Sequence, residues 1–286
     1  MEFRKIIQDQ ILSVERPAQY INKEWNSLHT NSISPKLKIA LAFPDMYEIG
    51  MSNLGQRILY HVLNNLHDVS AERVYAPAPD MEAILRSQKI PLLSLESGTP
   101  LYKFDIIGFT LQNETSYTNV LNMLDLGNIP ILSCEREKKH PLIIAGGPCV
   151  FNPEPMADFF DAFVIGDGED VVIEIAETCK NWRDKFADRQ EVLRALAKIK
   201  GIYIPDFYDI KYNGDGSFCN FLPKNNLIPS IIDKRIFAYL DREFYPDRYI
   251  VPYISIVHDR AILEISRGCS RGCRLCQAGI IYRPVR

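Results

Sequence analysis

Residues 36–66 read KLKIALAFPDMYEIGMSNLGQRILYHVLNNL. The opening KLKIALAF (36–43) is a nearly continuous apolar run that stops at Pro44, the pattern of a strand buried on both faces. The period then changes. In SNLGQRILYHVLNNL (52–66), Leu54, Ile58, Leu59, Val62, Leu63 and Leu66 recur at helical spacing, with Ser52 as the expected N-cap. A buried strand followed at once by an amphipathic helix is half of a parallel βαβ unit.

The alternation continues outward from this unit. ERVYAP (72–77) reads as a strand and PDMEAILRSQ (79–88) as a helix with proline at its start. FDIIGFT (104–110) is a third strand, and TSYTNVLNMLDLG (115–127) a helix closed by Gly127. PLIIAGG (141–147) and DAFVIG (161–166) are the fourth and fifth strands, and DGEDVVIEIAETCKNW (167–182) is the helix that follows. The pattern predicts an α/β domain over 36–200: a doubly wound parallel sheet of flavodoxin-like (Rossmann-like) strand order.

Residues 1–35 read as an N-terminal helical extension, docked through Tyr20 and Trp25. Residues 201–257 are expected to form an irregular β-containing connector, with NGDG (213–216) as a hairpin turn. Residues 258–286 form the last segment. There AILEIS (261–266) reads as one more buried strand, and RLCQAGIIYR (274–283) begins a helix.

A formal charge of −3 gives no global pull toward nucleic acid or an anionic membrane. No apolar run approaches a membrane span, and the first residues lack the apolar core of a secretory signal. Of seven cysteines, Cys134, Cys149, Cys179 and Cys219 are scattered and three crowd into eight residues. An odd, clustered set predicts a cytoplasmic chain with one metal site rather than a disulfide framework.

That cluster is CSRGCRLC (269–276), which supplies Cys269, Cys273 and Cys276. Thiolates are soft ligands that select iron–sulfur clusters or zinc. Three close thiols can hold three corners of an iron–sulfur cubane and leave one iron open. A closed zinc site needs a fourth ligand, and the nearest histidine is His258. Arg267, Arg271, Arg274, Arg283 and Arg286 surround the loop. They read either as a solvated basic turn or as charge that offsets a thiolate cluster or guides an anionic substrate.

Strand ends in the α/β domain carry a second pattern: Asp45, Tyr47 and Gly50 after the first strand, Gly146 and Gly147 after the fourth, and Gly166, Gly168 and Glu169 after the fifth. Glycines there let backbone approach a ligand in the crevice of an open sheet. Singly, each has an ordinary role as a turn or a helix-start residue.

The strand followed by ISRGCSRGCRLCQAG (265–279) resembles the cluster loop of radical S-adenosylmethionine (SAM) enzymes. With DMYEIG, AGGPCVFNPEP and GDGED, nearly the whole chain resembles uncharacterised bacterial radical SAM proteins with an N-terminal cobalamin (B12)-binding-like domain. The resemblance implies that Cys269, Cys273 and Cys276 bind a [4Fe–4S] cluster whose fourth iron chelates SAM. Reductive cleavage would then give a 5′-deoxyadenosyl radical, with a flavodoxin- or ferredoxin-type protein as electron donor. DMYEIG is similar to a cobalamin-binding D-x-H-x-x-G turn, with Tyr47 where the cobalt-ligating histidine would stand. The substrate stays open. A full (β/α) barrel takes about 250 residues, so residues 258–286 are expected to be the start of a radical SAM domain, the first strand and cluster loop of an incomplete (β/α) barrel, and the chain a truncated portion. The rest of the barrel is expected on a longer or adjacent chain. The alternative is a cobalamin-like binding or electron-transfer module with an iron–sulfur or zinc site and no catalysis of its own.

Overall fold

Strand β1 (Leu37–Phe43) is buried at every position except Lys38. The computed structural model describes residues 2–28, 35–238, 240 and 242–286. Part of the N-terminal extension, residues 29–34, lies outside the described residues. Before β1 come helix α1 (Glu2–Gln10) and two single 3₁₀ turns. After it come a short turn of helix, α2 (Tyr47–Gly50), and then α3 (Leu54–Asn64). The cap of α3 is Asn53 rather than Ser52: its Oδ1 accepts from the Gln56 amide at 2.9 Å. The Ser52 hydroxyl instead donates to the Glu48 carbonyl at 2.7 Å, one turn back.

Strand β2 (Val69–Tyr75) is followed by α4 (Pro79–Ser87), and β3 (Ile106–Thr110) by α5 (Tyr117–Leu126). Then come β4 (Leu142–Gly146), β5 (Ala162–Val164), α6 (Val171–Cys179), α7 (Trp182–Lys185) and α8 (Arg189–Leu196). β6 (Ile202–Tyr203) closes a six-stranded sheet of order β2-β1-β3-β4-β5-β6. The first five strands are parallel, which gives the 2-1-3-4-5 order of the doubly wound class. β6 runs antiparallel to β5, so the sheet extends just past residue 200.

β2 is an edge strand, yet all seven residues are buried. The edge is covered rather than exposed, as unpaired strand edges require. The Leu95 amide donates to the Arg73 carbonyl at 2.9 Å, and the Arg73 amide to Glu96 Oε2 at 2.7 Å. The N-terminal arm packs over the same edge. Its Glu24 is buried and takes the Arg73 guanidinium, and Tyr20 accepts the Ala78 amide at 3.0 Å. Trp25, expected to dock, is 75% exposed, and its backbone forms a bridge to Val251.

β7 (Tyr208–Tyr212) and β8 (Phe218–Pro223) form the hairpin that NGDG foretells, with Gly216 at φ +82° in the turn. Residues 261–266 do not form the expected buried strand: the segment pairs with no strand among the described residues. Leu263 and Ile265 are more than four-fifths exposed, because no strand among the described residues covers their face. The last helix, α9 (Ala278–Ile281), is a single turn. No helix among the described residues is long and apolar enough to cross a membrane.

Candidate functional site

Side chains alternate across a strand, so residues two apart share a sheet face. On one face Ile39 and Leu41 of β1, Ile106 and Gly108 of β3, and Ile144 and Gly146 of β4 line a crevice of about 460 Å³. Helices α3 and α6 flank it through Leu59 and Val172. Its size falls within the roughly 300–1,000 Å³ of small-molecule sites. The space exists because two of these positions have no side chain. A Cβ on Gly146 would meet nothing within 4 Å, and one on Gly108 nothing closer than 3.9 Å. Glycine inside a strand marks such close approach, and FDIIGFT carries that signal at Gly108. Thr110 and Gln112 supply polar groups at the carboxyl end of β3.

Gly147, Gly166, Gly168 and Glu169 also line this crevice. Gly147 has φ +105°, and a Cβ there would lie 2.6 Å from the Leu111 carbonyl oxygen. Gly166 has φ +117° and a bridge to Arg235, whose carbonyl oxygen would be 2.1 Å from a Cβ. Both turns therefore require glycine on steric grounds alone.

Asp45, Tyr47 and Gly50 stand apart, and none of the three lines the crevice. Asp45 accepts the Met46 amide at 2.8 Å. Tyr47 is 2% exposed and turned under the N-terminal arm, where its hydroxyl donates to Glu24 and its ring meets Tyr75 edge-on at 5.4 Å. Burial, with the Glu24 carboxylate beside it, pushes the phenol far above its ordinary value and keeps it neutral. Gly50 leaves room for the Tyr75 ring, which would lie 2.3 Å from a Cβ. Thus a cobalamin in the crevice would receive no ligand from residue 47.

The cysteine loop roots in the crevice wall, since Ser266, Arg267, Gly268 and Tyr282 are part of the lining. Arg267 reaches into the acidic turn after β5. Its Nη1 donates to Asp167 at 3.0 Å and its Nη2 to Glu169 at 2.6 Å. Nε and Nη2 also hold Glu264 at 3.0 and 2.9 Å. Burial opposes the charge on Arg267, but the Glu264 and Glu169 carboxylates outweigh it and hold the guanidinium well above its usual value. Arg286 donates to Asp167 at 2.6 Å. Two of the five arginines around the loop are therefore committed to carboxylates, whereas Arg271, Arg274 and Arg283 are exposed.

Cys269, Cys273 and Cys276 are free and exposed. Two of the sulfurs accept local amides, Cys269 from Arg271 and Cys276 from Gly279, each at 3.4 Å. Exposed thiols with amide donors are a donor set that suits a cluster, whose sulfurs take backbone hydrogen bonds. Among the described residues, however, no group of three or more His, Cys, Asp or Glu is gathered to hold a metal.

A doubly wound α/β domain whose sheet crevice is walled in part by the root of a three-cysteine loop is the class that this architecture defines. The family described as radical SAM proteins, N-terminal, matches residues 55–205, more than half of the chain, and the chain belongs to that family. It is also similar to "Uncharacterized protein MJ0966" of Methanocaldococcus jannaschii, 24% identical over 252 residues. That alignment covers 87% of this chain and 42% of the relative, so the chain spans less than half the length of the relative it matches. No solved structure matches.

Proposed function

We propose that the chain is the N-terminal portion of a radical SAM enzyme, in which Cys269, Cys273 and Cys276 hold three irons of a [4Fe–4S] cluster and the sheet crevice receives an organic ligand. The observation that carries this reading is positional. In a chain of this family, the root of the three-cysteine loop is itself part of the crevice wall. When bound together with SAM, such a cluster supplies the electron that cleaves the sulfonium.

The chain's own residues do the rest. The amides of Arg271 and Gly279 donate to the sulfurs of Cys269 and Cys276 and help fix where they point. Ile39, Leu41, Ile106 and Ile144 bury the apolar body of a ligand and exclude water from it. Gly108 and Gly146 let that ligand approach the backbone. Electron delivery by a flavodoxin- or ferredoxin-type donor, and barrel strands supplied by further sequence, belong to this proposal. The 24% identical relative is more than twice as long as the aligned region, which leaves room for such strands there.

Anaerobic reconstitution with iron and sulfide tests the reading. The wild type should turn brown and hold about four irons per chain. Replacing Cys269, Cys273 and Cys276 together by alanine should leave it colourless. A wild-type chain that takes up one zinc and no iron would overturn the proposal.

A further inference from the structure

The segment that carries the three thiols is closed at its base. The Arg267 amide donates to the Arg286 carbonyl at 2.9 Å, and the Arg286 amide returns to the Arg267 carbonyl at 2.9 Å. Gly268, at φ +93°, packs inside this closure. A Cβ there would lie 2.6 Å from the Tyr282 carbonyl oxygen. Lys234 Nζ holds the far side of the loop by donating to the Ile281 carbonyl at 2.9 Å and to that of Arg283.

Both basic residues of the closure point the same way. Arg267 and Arg286 converge on Asp167, in the turn that lines the crevice. Arg267 alone joins three carboxylates from two separate parts of the chain: Asp167 and Glu169 after β5, and Glu264 before the loop. Its side chain is 13% exposed, and those of Asp167, Glu169 and Glu264 are 11, 7 and 18% exposed. Largely withdrawn from water, these pairs are screened far less than surface ion pairs. A guanidinium presents its donors in a fixed planar fork, so it transmits orientation as well as charge. Arg267 lies two residues before Cys269.

We propose that Arg267 is a positioning residue: it locks the root of the cysteine loop onto the Asp167–Glu169 turn, so that the crevice and the loop share one fixed geometry. The inference rests on the cluster reading for its function, and on the described contacts alone for the lock. A ligand in the crevice touches the same residues, Arg267 and Gly268, that set where the first thiol stands. Filling the crevice and ordering the loop are therefore linked, each favouring the other.

The test compares wild type, Arg267→Lys, Arg267→Met and the double variant Asp167→Asn/Glu169→Gln after anaerobic iron loading. Two quantities are read: amide hydrogen exchange over 268–286, and the electron paramagnetic resonance spectrum of the reduced cluster. Arg267→Met should speed loop exchange by roughly tenfold or more, because it removes the charged hydrogen bonds that tie the loop root to the Asp167–Glu169 turn. Exchange in β1, β3 and β4 should not change. Its cluster signal should broaden or shift at equal iron content. Arg267→Lys should fall between, since an ammonium cannot reproduce the fork. The double variant keeps the arginine and should match Arg267→Met, which covers the case of a misfolded Arg267→Met.

Wild-type exchange and wild-type resonance in iron-loaded Arg267→Met and in the double variant would overturn the lock. If the wild type takes up no iron, the cluster reading falls, and the exchange comparison alone then decides the lock.

Discussion

At the scale of single residues, the seven cysteines divide by environment rather than by spacing. Cys179 is fully buried on α6, and burial pushes its thiol up to about 12. Cys149 is also buried, and burial followed by the nearby Glu114 raises it. A raised thiol stays protonated at pH 8, and only the thiolate is an effective nucleophile. Iodoacetamide at pH 8 should therefore label Cys134, Cys219, Cys269, Cys273 and Cys276 of the folded chain and spare Cys149 and Cys179, as read by peptide mass spectrometry. Iron loading should then remove Cys269, Cys273 and Cys276 from the labelled set. Labelling of Cys179 as fast as Cys219 would contradict the assignment. The three loop thiols were legible in the sequence because spacing along a chain is visible there. The place of Tyr47 was not. Its neighbours Glu24 and Tyr75 are 23 and 28 positions away, and nothing local shows that a phenol turns toward them and away from the crevice. Arg267 was visible as one of five basic residues, but its acids Asp167 and Glu169 lie about a hundred positions upstream.

At the scale of elements, parallel strands were legible because burial on both faces leaves continuous apolar runs. β1, β3 and β4 are of this kind. AILEIS has the same composition but no partner strand among the described residues, and a strand exists only through its neighbours. β2 is the reverse case, since it buries Glu72 and Arg73 at an edge that the N-terminal arm and the 92–101 segment cover. Glu72 accepts the Ser94 hydroxyl at 2.6 Å, and Arg73 sits between Glu24 and Glu96 with side-chain exposures of 3% or less in all three. Arg73→Met would leave two buried carboxylates without their cation, which should cost about 3–5 kcal/mol. Glu24→Gln leaves Arg73 paired with Glu96 and should cost less, about 1–3 kcal/mol. Urea unfolding reads both variants, and the two tryptophans separate the events: Trp25 is exposed on the arm and Trp182 is buried in the body. In Glu24→Gln the Trp25 signal should change at lower urea than the Trp182 signal. Coincident transitions at the wild-type midpoint would show that the arm is held by something other than this pair.

At the scale of the whole molecule, the α/β body and the cysteine loop are joined through an ionic knot that acid should weaken. Burial alone would raise Glu264, but hydrogen bonds from Arg267 and Tyr245 overcome it and hold the carboxyl below its ordinary 4.5. A carboxyl depressed in the folded state stabilises it fully above the unfolded value. That contribution shrinks as pH falls below 4.5, and it is gone once pH passes under the folded value. Protonation leaves Arg267 with the body's two carboxylates but only a weaker, uncharged tie to the segment before the loop, so the loop root should loosen before the sheet does. Hydrogen exchange over 268–286, corrected for intrinsic pH dependence, should be constant from pH 7 to about 5 and should rise below the ordinary carboxylate range. Amides of β3, at the centre of the sheet, should keep their protection over the same interval, because they bond backbone to backbone with β1 and β4. In Glu264→Gln the loop should exchange faster already at pH 7, with its acid-dependent step reduced. A loop that loses protection above pH 5, or a step unchanged in Glu264→Gln, would place the pH-sensitive contact elsewhere.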